Sequence, residues 1–337
     1  MKKFIFFSFV VTSLLSPLVL AEQVNLYSAR KEALIKPLLD KFTQQTGISV
    51  NLVTGKADNL ITRLKSEGKY SPADLLITTD VGRLYRAKQQ GLTQQITLSE
   101  AVATVPSQFR DEQGHWLGLS LRARPIMVAA NSVNAQTITS LEDLADPQWK
   151  GRVCIRSSNN IYNQSMVAAL IAQLGESATQ QWVNDFVKNF ARPPQGGDRD
   201  QIKAVAAGLC DLAIANTYYL AGMLSSDDET TQQQAKKVTV IWPNQNSRGA
   251  HINISGVALA KHAPNKESAL LLIDFLLSQE SQLWYATANH EYPVLDGVAW
   301  SDILQSFGQF KTEQVPLGQL GELNAAAVQL MDRAGWK

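Results

Sequence analysis

Apolar positions along this chain follow two periods that take turns. Val24-Asn25-Leu26-Tyr27 alternates and predicts a strand, whereas Glu32 to Thr43 spaces its apolar residues for one face of a helix. Gly47 ends that helix, and Ile48-Ser49-Val50-Asn51-Leu52-Val53 predicts a second strand. The alternation continues with a helix from Asp58 to Gly68, a strand over Ala73 to Ile77, and a helix from Val81 to Gln90 stopped by Gly91. Strands that alternate with helices predict an α/β fold with mostly parallel sheets, because parallel neighbours need a crossover that a helix supplies.

The middle of the chain keeps the alternation and adds chemistry. Leu119 to Ala129 reads as one extended segment carrying Arg122 and Arg124 among apolar residues, a setting in which a guanidinium needs a carboxylate or another anion. After a short helix from Leu141 to Ala145, a strand from Gly151 to Arg156 contains Cys154 and leads through Tyr162 to a helix over Gln164 to Leu174. Helices are predicted over Thr179 to Phe190 and Asp200 to Ala207, around a turn-rich run of Pro and Gly. Cys210 then opens a buried strand, Leu212 to Ala215, and Asn216-Thr217 caps a helix that begins with Tyr218-Tyr219. Adjacent residues at a helix start lie about 100° apart rather than on opposite faces, so these two phenols can converge. Tyr162 follows Cys154 by eight residues, and Tyr218 follows Cys210 by the same eight. If the cysteines are bonded, Tyr162 is carried towards Tyr218 and Tyr219, which favours a metal-binding cluster over rings that only cover core. Strands at Lys237 to Trp242 and Ile254 to Ala260 and an amphipathic helix at Ser268 to Leu277 follow, and the polar run Ser225 to Gln234 reads as a surface loop or frayed helix.

Composition narrows the partners. Met1-Lys2-Lys3, the apolar run from Phe4 to Leu15 and the small residue at Ala21 form a secretory leader, with cleavage expected after Ala21 and export to an oxidising compartment. Without Lys2 and Lys3 the chain has 29 basic against 30 acidic residues, a net charge of −1, which argues against nucleic acid as a partner. No later apolar stretch is long enough to span a bilayer. In an oxidising compartment the pair Cys154 and Cys210 is expected to be a disulfide rather than two free thiols.

Tyrosine is protonated at neutral pH, with a free pKa of about 10, so a strongly Lewis-acidic, oxygen-seeking cation is needed to displace its proton. Iron(III) fits, whereas zinc prefers Cys and His and calcium prefers clustered carboxylates. Three phenolates would cancel its charge, and a small bidentate anion held by an arginine and by helix N-termini would add coordination. Arg122 leads for that role, with an ion pair between lobes the competing reading for Arg122 and Arg124. A catalytic reading finds no nucleophile elbow, zinc-protease motif or phosphate loop, and His115, His251, His262 and His290 are scattered. Asp198-Arg199-Asp200 reads at least as well as a solvated loop as a functional charge cluster.

Several motifs occur in order: Tyr27-Ser28-Ala29-Arg30, Ser71-Pro72-Ala73-Asp74, Arg122-Ala123-Arg124, Arg156 to Asn163, Pro194 to Gln201, Asn216-Thr217-Tyr218-Tyr219, Asn253-Ile254-Ser255-Gly256 and Asn289 to Val294. From about Val24 to the C-terminus the chain resembles the periplasmic ferric-iron-binding proteins of ABC importers. The resemblance implies a two-lobe (type II) periplasmic binding protein, not an enzyme, that closes on Fe3+ and delivers it to an inner-membrane permease and its ATPase, and we expect a monomer. It also implies Tyr162, Tyr218 and Tyr219 as iron ligands and Arg122 as the holder of carbonate or a similar anion. Some members add a His or His-Tyr pair after the first strand. Here that place reads Arg30-Lys31-Glu32, so no such ligand is expected from the first lobe, and Tyr27 is expected to be a packed ring. The expected division is 1–21 leader, 22–121 and 253–296 first lobe, and 122–252 and 297–337 second lobe. The competing readings are a two-lobe protein for thiamine, a polyamine or another small organic ligand and, from another class, a secreted hydrolase.

Overall fold

The protein is described here from a computed structural model over residues 22–130 and 137–337; the expected leader, 1–21, lies outside the described residues. Its strands are β1 (Gln23–Ser28), β2 (Ser49–Thr54), β3 (Leu75–Thr79), β4 (Thr93–Gln94), β5 (Leu117–Ala123), β6 (Ile126–Ala129), β7 (Val153–Cys154), β8 (Leu212–Ile214), β9 (Val238–Ile241), β10 (Ile252–Ala260) and β11 (Tyr292–Pro293). They form two sheets. The first has the order β11-β5-β10-β3-β1-β2, with β4 also against β10, and the second has the order β7-β8-β6-β9. Most strands of each sheet run one way, as expected. The exceptions, β10 and β11 in the first sheet and β6 in the second, lie antiparallel to their neighbours.

The two sheets are joined where the sequence suggested one continuous extended segment. That segment breaks at Arg124-Pro125, leaving β5 in the first sheet and β6 in the second. Proline brings no N–H to a ladder, so the break comes where pairing is already lost. The chain returns between β9 and β10, and the Arg124 amide donates to the His251 carbonyl at 3.1 Å, tying the two crossings together. A third segment lies alongside: the Glu313 amide donates to the Ala250 carbonyl at 3.0 Å.

Each sheet is buried by helices. On β6 and β8 the apolar residues alternate: Ile126, Val128, Leu212 and Ile214 face one core with Trp182, Phe186 and Trp336, while Met127 and Ala213 face another with Ile202 and Leu220. Both faces being covered explains the unbroken apolar run after Cys210. The tail, expected in the second lobe, is shared: Leu304, Leu317 and Leu320 pack into the first lobe's core, whereas Ala327, Leu330, Met331 and Trp336 pack into the second's. The polar run after Ser225 ends in a helix, Glu229–Ala235, whose first turn is capped by Asp228 accepting from the Thr231 amide at 3.1 Å. No helix of the described residues is long and apolar enough to cross a membrane.

Candidate metal centre

Two helix starts in the second lobe present the tyrosines. The helix Ile161–Leu174 begins three residues earlier than the apolar pattern implied, because Asn160 caps it: its side chain accepts from the Tyr162 amide at 3.1 Å. The Asn163 side chain then donates to the carbonyls of Arg156 and Ser157, at 3.0 and 3.1 Å, and fixes the loop behind the ring. The second helix, Thr217–Leu224, places Tyr218 and Tyr219 in its first turn, their ring centroids 4.2 Å apart. Ahead of them Cys154 and Cys210 are bonded, with Cα atoms 5.8 Å apart, and β7 and β8 lie side by side.

Arg122, at the end of β5, comes from the other lobe. Its guanidinium carbon lies 4.5 Å from the Tyr162 ring centroid and 4.6 Å from that of Tyr218, and its Nη2 donates to the Tyr218 hydroxyl. Arg124, two residues on, goes elsewhere. It donates to Asp198 at 2.9 Å, to Asn216 at 3.1 Å and to Asn163 at 2.6 Å, all within the second lobe. Asp198, which sequence alone leaves in a solvated loop, is fully buried. It also accepts from Arg156 at 3.0 Å and from the Asn216 amide at 2.9 Å, so it ties the loops behind both tyrosine helices.

Sequence reasoning gave no role to Glu291, which is buried beside Arg122. Its carboxylate accepts from Arg30 at 2.7 Å and from the Ser120 hydroxyl, and it lies 3.7 Å from Arg122 Nε. The motif around Asn289 to Val294 was visible, yet an acid that pairs with Arg30 across 261 residues carries no local signal. Tyr27 is a packed ring, with its hydroxyl donating to Glu67 at 2.9 Å.

The electrostatics separate the three phenols. Burial pushes Tyr162 up, but the Arg122 guanidinium and hydrogen bonding with Arg122, Tyr218 and Thr79 outweigh it and bring Tyr162 down to about 8. Burial and the neighbouring phenols push Tyr218 well up, against Arg122. Tyr219 is pushed up to about 12 by burial, Tyr162 and Asp198. Tyr162 is thus the phenol that ionises most readily, just above neutrality, and ionising the other two would require a cation between the rings. Among the described residues no cluster of three or more His, Cys, Asp or Glu side chains could hold a metal, so an oxygen-rich tyrosine site has no competitor of that kind.

The model of the bacterial extracellular solute-binding proteins matches residues 71–305. The chain belongs to this family. Among its relatives within the family is Iron uptake protein A1 of Synechocystis sp., 47% identical over 316 residues, covering 94% of this chain and 88% of the relative. Among solved structures, a Trichodesmium protein in complex with iron and citrate ligands is 48% identical with a TM-score of 0.91, over 94% of this chain and 100% of that one. The ferric binding protein from Campylobacter jejuni is 35% identical with a TM-score of 0.89, over 93% of this chain and 100% of that one. These relatives bear out the resemblance drawn from the ordered motifs and the two-lobe binding-protein fold.

Proposed function

We propose that this solute-binding protein takes up Fe3+ in its cleft through Tyr162, Tyr218 and Tyr219, with carbonate or a similar small anion on Arg122, and delivers it to an inner-membrane ABC permease and its ATPase. The observation that carries the reading is the meeting of the three tyrosines, from two helix starts, with an arginine from the opposite lobe. Three phenolates balance the charge of iron(III). Without such an ion, burial and mutual repulsion keep two of the phenols protonated. The N-termini of both tyrosine helices place partial positive charge at the phenols, which favours phenolate and a bound anion alike. The Glu291 carboxylate is engaged by Arg30 and Ser120, so the first lobe contributes Arg122 rather than a metal ligand, and the anion completes the coordination shell. Citrate accompanies iron in the Trichodesmium relative, which makes a carboxylate the natural rival of carbonate here.

A binding role rather than catalysis, a monomeric chain and a periplasmic location after cleavage at Ala21 belong to the same proposal, as do lobes at 22–121 with 253–296 and at 122–252, adjusted so that β5 keeps Arg122 and Ala123 in the first lobe and the tail is divided between the two. An organic cation of the thiamine or polyamine type is disfavoured by the cations that face the rings. Arg122, Arg156 and Arg199 lie over them, at 4.5 and 5.6 Å from Tyr162 and 5.2 Å from Tyr219, and would repel it.

The decisive experiment is a visible spectrum of the purified chain with ferric salt, in bicarbonate and then in citrate, for the parent and for Tyr162→Phe, Tyr218→Phe and Tyr219→Phe. Phenylalanine keeps the ring and deletes only the oxygen. We expect a tyrosinate-iron band in the parent, and each variant should lose iron affinity while keeping its fold. Variants that lose stability but bind iron as before would return the tyrosines to a packing role.

A further inference from the structure

Among the described residues, three side chains other than glycine hold a left-handed backbone: Asp80 at φ 81°, Asn244 at 60° and His290 at 53°. A Cβ makes this region costly, and such residues persist where the surrounding structure requires them. Asn244 is the ordinary case: asparagine tolerates the geometry, and its amide serves a turn onto Thr139 inside the second lobe at 2.7 Å. The other two reach across the cleft.

Asp80 follows β3, caps the helix Val81–Gln89 and is fully buried. Its carboxylate accepts from the Gly82 amide at 3.0 Å, from Asn253 Nδ2 at 2.9 Å and, from the opposite lobe, from the Ser165 hydroxyl at 2.7 Å. Ser165 lies one turn beyond Tyr162 on the same helix. His290 precedes β11 in the first lobe, and its Nε2 lies 2.9 Å from the hydroxyl of Ser225, the residue that ends the helix of Tyr218 and Tyr219. Its other ring nitrogen is buried without a hydrogen-bond partner. Each tyrosine helix therefore carries one serine bound to a conformationally constrained residue of the opposite lobe.

We propose that Asp80 and His290 are positioning residues of the closed cleft, each holding one tyrosine helix through a single serine, and that together they set the rate of iron release. This rests on the reading of the cleft as an iron site. Neither residue is placed on the metal. Opening the lobes breaks both hydrogen bonds, whereas the ligand set stays on the second lobe. The device therefore acts on how long iron stays and leaves the chemistry of its coordination unchanged.

The test is the rate of iron loss to excess EDTA from Ser165→Ala, Ser225→Ala and the double variant, with the visible band and the melting temperature measured in parallel. Alanine is the better helix former at position 165, and Ser225 is exposed, so both variants keep the fold. Ser225→Ala should release iron about three- to tenfold faster, the value of one neutral hydrogen bond, and Ser165→Ala about tenfold or more, because its partner is a carboxylate. The two effects should multiply in the double variant, since the serines sit on separate helices. The band should not move. Ser225→Thr should restore the parent rate, and His290→Asn, which keeps a left-handed backbone accessible, should match Ser225→Ala and add nothing to it. A double variant that releases iron within about twofold of the parent, or one whose band shifts, overturns the proposal. If the parent takes up no iron, the reading of the site fails separately. Small-angle scattering of the metal-free chain then decides the latches: a larger radius of gyration in the double variant supports them, and an unchanged one overturns them.

Discussion

Arg122 and Arg124 are two residues apart and equivalent in any reading of composition, yet they do different work. The separation comes from the crossing: Arg122 is still paired in β5, opposite Asn253 of β10, while Arg124 sits at the break and turns its side chain into the second lobe. The exact point of that break was not legible in the sequence, because Leu119 to Ala129 reads as one extended segment in which only Pro125 marks it. Tyr218 and Tyr219 were legible from Asn216-Thr217 ahead of them and Tyr162 from its matched spacing after a cysteine, whereas Glu291 and the buried Asp198 gain their roles only from distant partners. The two arginines should respond in opposite ways. Arg122→Ala leaves Glu291 paired with Arg30 and Ser120, so the melting temperature should hold while anion and iron affinity fall together, by about tenfold or more for a lost charge-assisted contact. Arg124→Ala leaves Asp198 with Arg156 and the Asn216 amide but takes the buried donor from the Asn216 and Asn163 side chains, and should destabilise the fold by about 1–3 kcal/mol. Thermal melts and chelator competition on both variants check this; a stable Arg124→Ala with weakened iron binding would exchange the two roles.

At the scale of elements, the repeated unit of cysteine, strand end and helix start was readable from a spacing of eight residues, and in the structure the two units lie side by side with their cysteines bonded. The strand lengths were less readable. The run from Gly151 to Arg156 supplies only two paired residues, because β8 is its one strand neighbour and is itself short. A short sheet edge that must orient two helix starts gains from a covalent tie. With the cysteines 56 residues apart, the loop-entropy model assigns the tie about 4 kcal/mol. Replacing both cysteines by alanine should therefore lower the denaturant midpoint substantially. It should leave the tyrosinate-iron band in place but speed iron loss, since no ligand is removed and only its frame is loosened. An unchanged midpoint would show that the packing of Met127, Ile202 and Leu220 around the cysteines suffices without the bond.

For the molecule as a whole, the two-lobe architecture was legible from the alternation of strand and helix together with the ordered motifs. The way the tail is shared between lobes was not, because its apolar residues serve both cores. What the whole molecule does follows from protons. Before iron arrives, the Tyr162 phenol titrates at about 8, Tyr219 at about 12, and Tyr218 well above its ordinary value. Near pH 7 nearly all three are protonated, so coordination by three phenolates must expel roughly three protons per iron. Near pH 9 Tyr162 is already ionised, and the number should fall to roughly two. The sign follows by linkage: affinity rises with pH wherever the free site holds more protons than the loaded one, so it falls as pH falls. Around neutrality each unit of acidification should weaken binding by about a thousandfold, which makes mild acid sufficient to release iron with the fold intact. A pH-stat titration with iron supplied as a chelate, corrected for that chelate's own protons and for the one that bicarbonate gives up when it binds as carbonate, measures the count directly. Release of one proton or fewer near pH 7 would mean that the phenols stay protonated, and iron would then have to be held by other groups.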